Sequence, residues 1–146
     1  MNIEVKNATK TVDYTKSMKI LEQRVEDVLA GKKDELLWII EHNPVYTAGT
    51  SSKNNELLNK KIKVIKTNRG GKYTYHGPGQ RIIYLMINLN QRNRDIRGFV
   101  KLIENIILKI LERLGINGII DHKHHGIFIK KDDGNLYKIA SIGVKF

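Results

Sequence analysis

Arg69-Gly70-Gly71-Lys72-Tyr73-Thr74-Tyr75-His76-Gly77-Pro78-Gly79-Gln80 is the most unusual stretch of this 146-residue chain. Four of the twelve glycines and one of the two prolines fall within these twelve positions. Gly70-Gly71 can bring backbone N–H groups up to a ligand, because no Cβ stands in the way. Gly77-Pro78-Gly79 reads as a rigid turn that fixes where His76 and Gln80 point. Between these glycine pairs lies a short aromatic strand with polar tips, flanked by Arg69 and His76. Such a build suits a pocket for an apolar chain ending in a polarised carbonyl. For R-G-G alone, a glycine-rich hairpin without a ligand is the plain alternative. A Walker A loop is excluded, since Lys66 and Thr67 occupy the region where its first glycine is required. An RGG tract for RNA is a poor fit, because the triplet occurs once and inside ordered sequence.

On the N-terminal side, Met18, Leu21, Val25 and Val28 form one helical stripe, with Gly31 as the residue just past its end. Leu36 to Ile40 is a continuous apolar run and reads as a buried strand. Asn43-Pro44 stops it, because proline lacks the N–H and restricts its predecessor. Lys61 to Lys66 alternates as a strand. On the C-terminal side, Arg81 to Leu89 is strand-like. Asp95 then stands as N-cap of the longest helix, whose stripe is Phe99, Ile103, Ile106, Ile110 and Leu114, ended by Gly115. Short strands follow around Ile119-Ile120 and Ile127-Phe128-Ile129. Asp132-Asp133-Gly134-Asn135 makes a hairpin turn, since Asp/Asn-Gly tolerates positive φ. Leu136 to Phe146 returns as a strand. The pattern predicts an α/β (α+β) fold, one mixed sheet flanked by helices, in a single domain over residues 1–146.

Composition narrows the class. Apolar residues make up 40% and charged residues 28% of the chain, which fits a globular protein. Met1 to Lys10 lacks the apolar segment of a signal peptide. No apolar run reaches the roughly 18 residues of a membrane span. The expectation is a cytoplasmic protein with no membrane association. The absence of cysteine excludes disulfides and thiolate metal sites. Three histidines in Asp121-His122-Lys123-His124-His125 raise the question of a metal. Lys123 in their midst and the want of a downstream carboxylate or cysteine partner argue against one, so no metal is expected.

The formal charge of +11 lies entirely in residues 61–146, because nine Lys/Arg and nine Asp/Glu cancel over residues 1–60. Such asymmetry implies an acidic partner for the second half, unless it reflects a lysine-rich composition. Aromatic residues are too scattered for a stacking platform, so no specific nucleic acid is expected.

With these segments in view, the chain resembles the octanoyltransferases that begin protein lipoylation. Their signature R-G-G-x-x-T-Y-H-G-P-G-Q matches Arg69 to Gln80. Glu41-His42-Asn43-Pro44-Val45-Tyr46-Thr47 with Gly49 resembles their E-H-x-P-V-Y-T-x-G segment. Ile127-Phe128-Ile129 and Lys138-Ile139-Ala140-Ser141-Ile142-Gly143-Val144 resemble their G-[VI]-[YF]-[VI] and K-I-A-[SA]-[IL]-G-[VLI] segments. The resemblance implies a fold like that of biotin and lipoate protein ligases and no cofactor. It implies transfer of an octanoyl group from acidic octanoyl-acyl carrier protein to a lysine of lipoyl domains, those of 2-oxoacid dehydrogenases or glycine cleavage proteins. The route would be a thioester on an enzyme cysteine. Arg69, Gly70, Gly71, Lys72, Tyr73, Thr74, Tyr75 and His76 would bind the acyl group. Ser141, Ile142 and Gly143 would meet its carbonyl through backbone N–H groups. Lys138 would lower the pKa of the cysteine.

The sequence departs from this pattern in one respect. The family's H-G-x-A and P-C-G segments, the latter with the nucleophile, lie beyond the position of Gly143. The resemblance therefore predicts a chain lacking its C-terminal third, ending inside a strand whose unpaired edge would favour association, and inactive on its own. Two alternatives accompany it: a lipoate/biotin-type ligase that forms an acyl-adenylate with ATP, and an inactive pseudogene fragment.

Overall fold

A computed structural model describes residues 2–121 and 126–145. The described residues group into two compact units, one of residues 2–88 with 145 and the other of residues 89–144. In the first unit, Ile3–Asn7 (β1) leads to the helix Tyr14–Leu29 (α1), then Glu35–Ile40 (β2), Val45–Ala48 (β3), Val64–Lys66 (β4), Tyr73–His76 (β5) and Ile82–Met86 (β6). In the second, the helix Ile96–Arg113 (α2) precedes Gly118–Ile120 (β7), Ile127–Lys130 (β8) and Leu136–Ala140 (β9). The α/β class holds and the strand pairing is mixed. However, the described strands make three sheets of three, ordered β1-β2-β6, β4-β3-β5 and β7-β8-β9, instead of one. Asn43-Pro44 breaks β2 from β3, so consecutive strands enter different sheets.

β1 and β2 are parallel, and α1 is the crossover that parallel pairing demands. Asp13 caps α1, its carboxylate accepting from the Lys16 N–H at 2.9 Å. Gly31, at φ +68°, turns the chain out of the helix as the spacing predicts. Leu21 of α1 packs with Leu36, Trp38 and Ile40 on one face of β2, and Met18, Val12, Ile82, Tyr84 and Met86 close around them. The period-2 placement of these β2 residues puts them on the helix side together. Arg24, almost fully buried, reaches the Glu4 carboxylate of β1 at 2.6 Å and the Asp34 carbonyl at 3.1 Å. That pair ties both ends of the crossover to the helix.

Several expected elements differ in extent. The strand read over Lys61 to Lys66 begins only at Val64, because the Lys61 and Ile62 N–H groups turn back to Asn59. β6 stops at Met86; the Asn88 N–H then donates to the Glu35 carboxylate at 2.7 Å. β9 closes at Ala140, and residues 141–145 lie outside any strand, contrary to a strand running to Phe146. In β9 and beyond, Ile139 and Val144 are exposed while Ile142 is half-buried.

In the second unit Asp95 caps α2 as expected, accepting from the Gly98 N–H at 2.8 Å, and Gly115 has φ +73°. The expected stripe is displaced. Leu111 is the buried residue of α2, whereas Ile106, Ile110 and Leu114 are exposed. Leu108 and Leu111 lie so close to Gly118 of β7 that a Cβ there would meet them at 2.7 and 3.0 Å. Ile127 and Phe128 of β8 are buried. Gly134 makes the β8–β9 turn at φ +80°. No described helix is long and apolar enough to cross a membrane.

Asp95→Ala should lower stability by about 1 kcal/mol through loss of the cap, and Asp95→Asn should recover most of it. Urea unfolding of the two variants against the parent checks this.

Candidate functional site

The R-G-G segment enters a sheet whose central strand is β3. β5 pairs antiparallel with it, setting Ala48 opposite Tyr73, Thr47 opposite Thr74, Tyr46 opposite Tyr75 and Val45 opposite His76. β4 pairs parallel on the other edge. Tyr46 and Tyr75 form a cross-strand ring pair at 5.0 Å.

Arg69 is the brace of this loop. One guanidinium nitrogen donates to the Gly70 carbonyl at 2.9 Å. The other donates to Thr47 Oγ1 at 2.7 Å, the Lys72 carbonyl at 3.1 Å and the Thr47 carbonyl at 3.4 Å. Its charge is thus committed to the chain's own oxygens, with Thr47 fully buried beneath it. Gly49 completes the seat. A Cβ there would lie 2.3 Å from the Gly71 carbonyl oxygen and 2.8 Å from that of Gly70. The Gly70-Gly71 backbone can therefore lie across β3's end only because position 49 has no side chain. Gly71 itself stands at φ +89°. The Thr50 and Ser51 N–H groups bond the Arg69 and Gly71 carbonyls at 2.9 and 3.1 Å. Lys72 pairs with Glu56, whose carboxyl that ammonium holds below the usual carboxylate range.

At the far end of β5, the Gly77-Pro78-Gly79 turn is anchored by Glu41, whose carboxylate accepts from the Gly79 N–H at 2.9 Å. Gly79, at φ +84°, gives the turn its reversal. His42, next along, is fully buried. Its Nδ1 lies 2.9 Å from the Val12 carbonyl and its Nε2 2.8 Å from the Tyr84 hydroxyl. A carbonyl can only accept, so Nδ1 carries the proton and Nε2 accepts from Tyr84. Tyr14 packs against both histidines, stacked on His76 at 6.1 Å and edge-on to His42 at 5.1 Å. Burial holds both imidazoles below their ordinary range. The His42–Val12 and His76–Gln80 hydrogen bonds oppose that shift, while Arg69 adds to it at His76. Burial likewise pushes the Tyr84 hydroxyl above the usual phenol range.

The structure thus gathers Arg69 to His76 into one braced strand and loop. The sequence by itself does not reveal what Tyr14, Glu41, His42, Thr47, Gly49 or Tyr84 hold. Glu41, His42, Thr47 and Gly49 lie in the E-H-x-P-V-Y-T-x-G segment, and that spacing was the signal available. Lys138, Ser141, Ile142 and Gly143 belong to the other unit. Lys138 lies opposite Phe128 on β9, its ammonium 5.2 Å from the ring centroid. Gly126, at φ +135°, lies alongside, where a Cβ would meet the Ala140 carbonyl at 2.7 Å. Ser141 and Gly143 are exposed and Ile142 is half-buried. His122, His124 and His125 of the considered metal cluster lie outside the described residues.

The family described as the lipoyl protein ligase A/B catalytic domain matches residues 13–146. An octanoyltransferase of Paracoccus denitrificans is 43% identical over 141 residues, 91% of this chain and 65% of the relative. That of Novosphingobium aromaticivorans is 40% identical over 143 residues, 98% of this chain and 64% of the relative. That of Maricaulis maris is 39% identical over 145 residues, 99% and 64%. The chain spans about two thirds or less of the length of these curated relatives.

Gly49→Ala should displace the Gly70-Gly71 backbone and cost about 1–3 kcal/mol, as overpacking does, with the amide NMR signals of residues 69–72 moving most. A second expectation concerns acid. The unfolded chain protonates its histidines near pH 6.5, whereas folded His42 and His76 resist until lower pH. Stability is therefore full above about pH 6.5 and falls as the pH drops through that value toward the depressed folded pKa values. Melting temperatures between pH 7.5 and 5 should show this loss, and His42→Gln should flatten it.

Proposed function

Because the chain belongs to the lipoyl protein ligase A/B catalytic-domain family and is 40–43% identical to curated octanoyltransferases, we propose that it carries the acyl-binding wall of an octanoyltransferase. The observation that supports this most is the braced loop. Arg69, Thr47 and Gly49 hold Gly70-Gly71 at one end of β5, and Glu41 holds the Gly77-Pro78-Gly79 turn at the other. A strand fixed at both ends is a preorganised wall, which costs little ordering when an acyl chain binds.

On this reading Arg69, Gly70, Gly71, Lys72, Tyr73, Thr74, Tyr75 and His76 line the octanoyl chain, with Arg69 acting by shaping the loop. Ser141, Ile142 and Gly143 offer backbone N–H groups to the thioester oxygen. Lys138 favours the thiolate of the attacking cysteine. The octanoyl group passes from octanoyl-acyl carrier protein to that thiolate, then to a lysine amine of a lipoyl domain, in the cytoplasm. None of the 146 residues is a cysteine. The thiol must therefore come from outside them, and these residues alone are inactive in transfer. Residues 1–146 serve as a single catalytic domain lacking its cysteine-bearing C-terminal third. The positive charge of residues 61–146 suits the acidic carrier, and docking should weaken as salt rises.

The test is reconstitution. The chain is mixed with octanoyl-acyl carrier protein and a lipoyl domain, with and without a polypeptide supplying the part of the Paracoccus relative that lies outside the matched segment. Octanoylated lipoyl domain should form only in the complete mixture. Lys138→Ala should slow it about tenfold for each pKa unit the thiol regains. Transfer by the 146 residues alone would refute the thioester route, and ATP-dependent acyl-adenylate formation would point to a ligase.

A further inference from the structure

His76 is held by three contacts that the acyl-wall reading does not use. Its Nδ1 lies 2.6 Å from Gln80 Oε1. The Gln80 amide is itself oriented, because its Nε2 donates to the Tyr75 carbonyl at 3.3 Å. A carbonyl oxygen accepts only, so the amide nitrogen must face Tyr75 and the amide oxygen must face His76. That oxygen in turn can only accept. The imidazole therefore places its proton on Nδ1. Tyr14 fixes the plane of the ring from one side, stacked within 10° of parallel, and His42 meets it nearly edge-on at 5.8 Å. Among the described residues no hydrogen-bond partner meets His76 Nε2.

We propose that Gln80 is a positioning residue that locks His76 as the Nδ1–H tautomer, so that the Nε2 lone pair is the face offered to a ligand. A lone pair repels a carbonyl oxygen and accepts from an N–H or O–H. The group set against His76 Nε2 is then a donor such as the lysine amine of an acceptor domain, whereas an acyl carbonyl lies elsewhere. Only this last consequence rests on the acyl-transfer reading; the tautomer does not. The titratable groups facing the ring are His42 and Tyr14 in ring contact, with the Arg69 charge beyond. Burial disfavours the imidazolium, and the Arg69 charge adds to this, which favours the neutral, lone-pair-bearing form.

Long-range ¹⁵N–¹H NMR of the uniformly ¹⁵N-labelled chain reads the tautomer of each histidine directly. At pH 7.5 the parent should show His76 as Nδ1–H. Gln80→Leu removes the acceptor, and the ring should move to a majority of Nε2–H, the form that imidazole prefers in water. Gln80→Glu keeps an acceptor, so Nδ1–H should persist, while the new negative charge shifts the titration of His76 to higher pH. His42 is the internal control: with Val12 and Tyr84 as partners it should stay Nδ1–H in all three proteins, which also reports that each is folded. Nε2–H at His76 in the parent, an unchanged tautomer in Gln80→Leu, or an unmoved titration in Gln80→Glu would each overturn the assignment. No acyl donor or acceptor is present, so the spectra judge this proposal apart from the transfer reading.

Discussion

The hydrogen bonds from the Arg69 guanidinium to Thr47 carry most of the order in the first unit's site. Two glycines in succession, one of them at positive φ, have wide backbone freedom in the unfolded chain. Something must restrain them if they are to present a defined surface. Arg69 does so by binding the carbonyls of Gly70 and Lys72 and a buried hydroxyl on the central strand. A planar guanidinium suits this role, because its donors leave in fixed directions and its charge persists at every accessible pH. A lysine could reach one of these oxygens but could not span them. Gly49 is the steric complement of the same device: the carbonyls lie where its Cβ would be.

The second restraint is the corner between β2 and β3. Glu41 and His42 are adjacent, yet they serve different neighbours. Glu41 fastens the turn after β5, and His42 fastens Val12 ahead of α1 and Tyr84 of β6. Both sheets of the unit are thereby fixed at the point where Pro44 parts them. His42 is a buried polar group whose two nitrogens both have partners, which is the condition for tolerating it there. Removing either partner would leave one nitrogen unsatisfied at about 1–3 kcal/mol.

Much of this was legible in the chain, for reasons that differ by element. Asp95, Gly31 and Gly115 marked helix ends because capping chemistry is local. β2 was plain because its apolar run is longer than its neighbours permit in a loop. β1 was not seen: Ile3 and Val5 are both exposed, so no burial pattern distinguishes it. α2 misled in phase, since apolar residues surround much of that helix and periodicity cannot say which side Leu111 will bury. The loop at Arg69 to Gln80 announced itself by composition. Its supports did not, because they come from 22 residues away at Thr47 and 38 at Glu41, and pairings at that range follow from strand register alone. The E-H-x-P-V-Y-T-x-G segment carried those supports as a motif, without telling what each residue held.

The central claim is that the strand Tyr73–His76 and its braced ends form the wall against which an octanoyl chain rests. Photo-crosslinking tests it most directly, using an octanoyl-acyl carrier protein whose acyl chain ends in a diazirine. After irradiation and digestion, mass spectrometry should locate the label on the peptide containing residues 69–76, and Gly49→Ala should diminish it while total carrier binding persists. Label distributed over exposed apolar residues such as Leu58 or Ile110, with none on residues 69–76, would contradict the account.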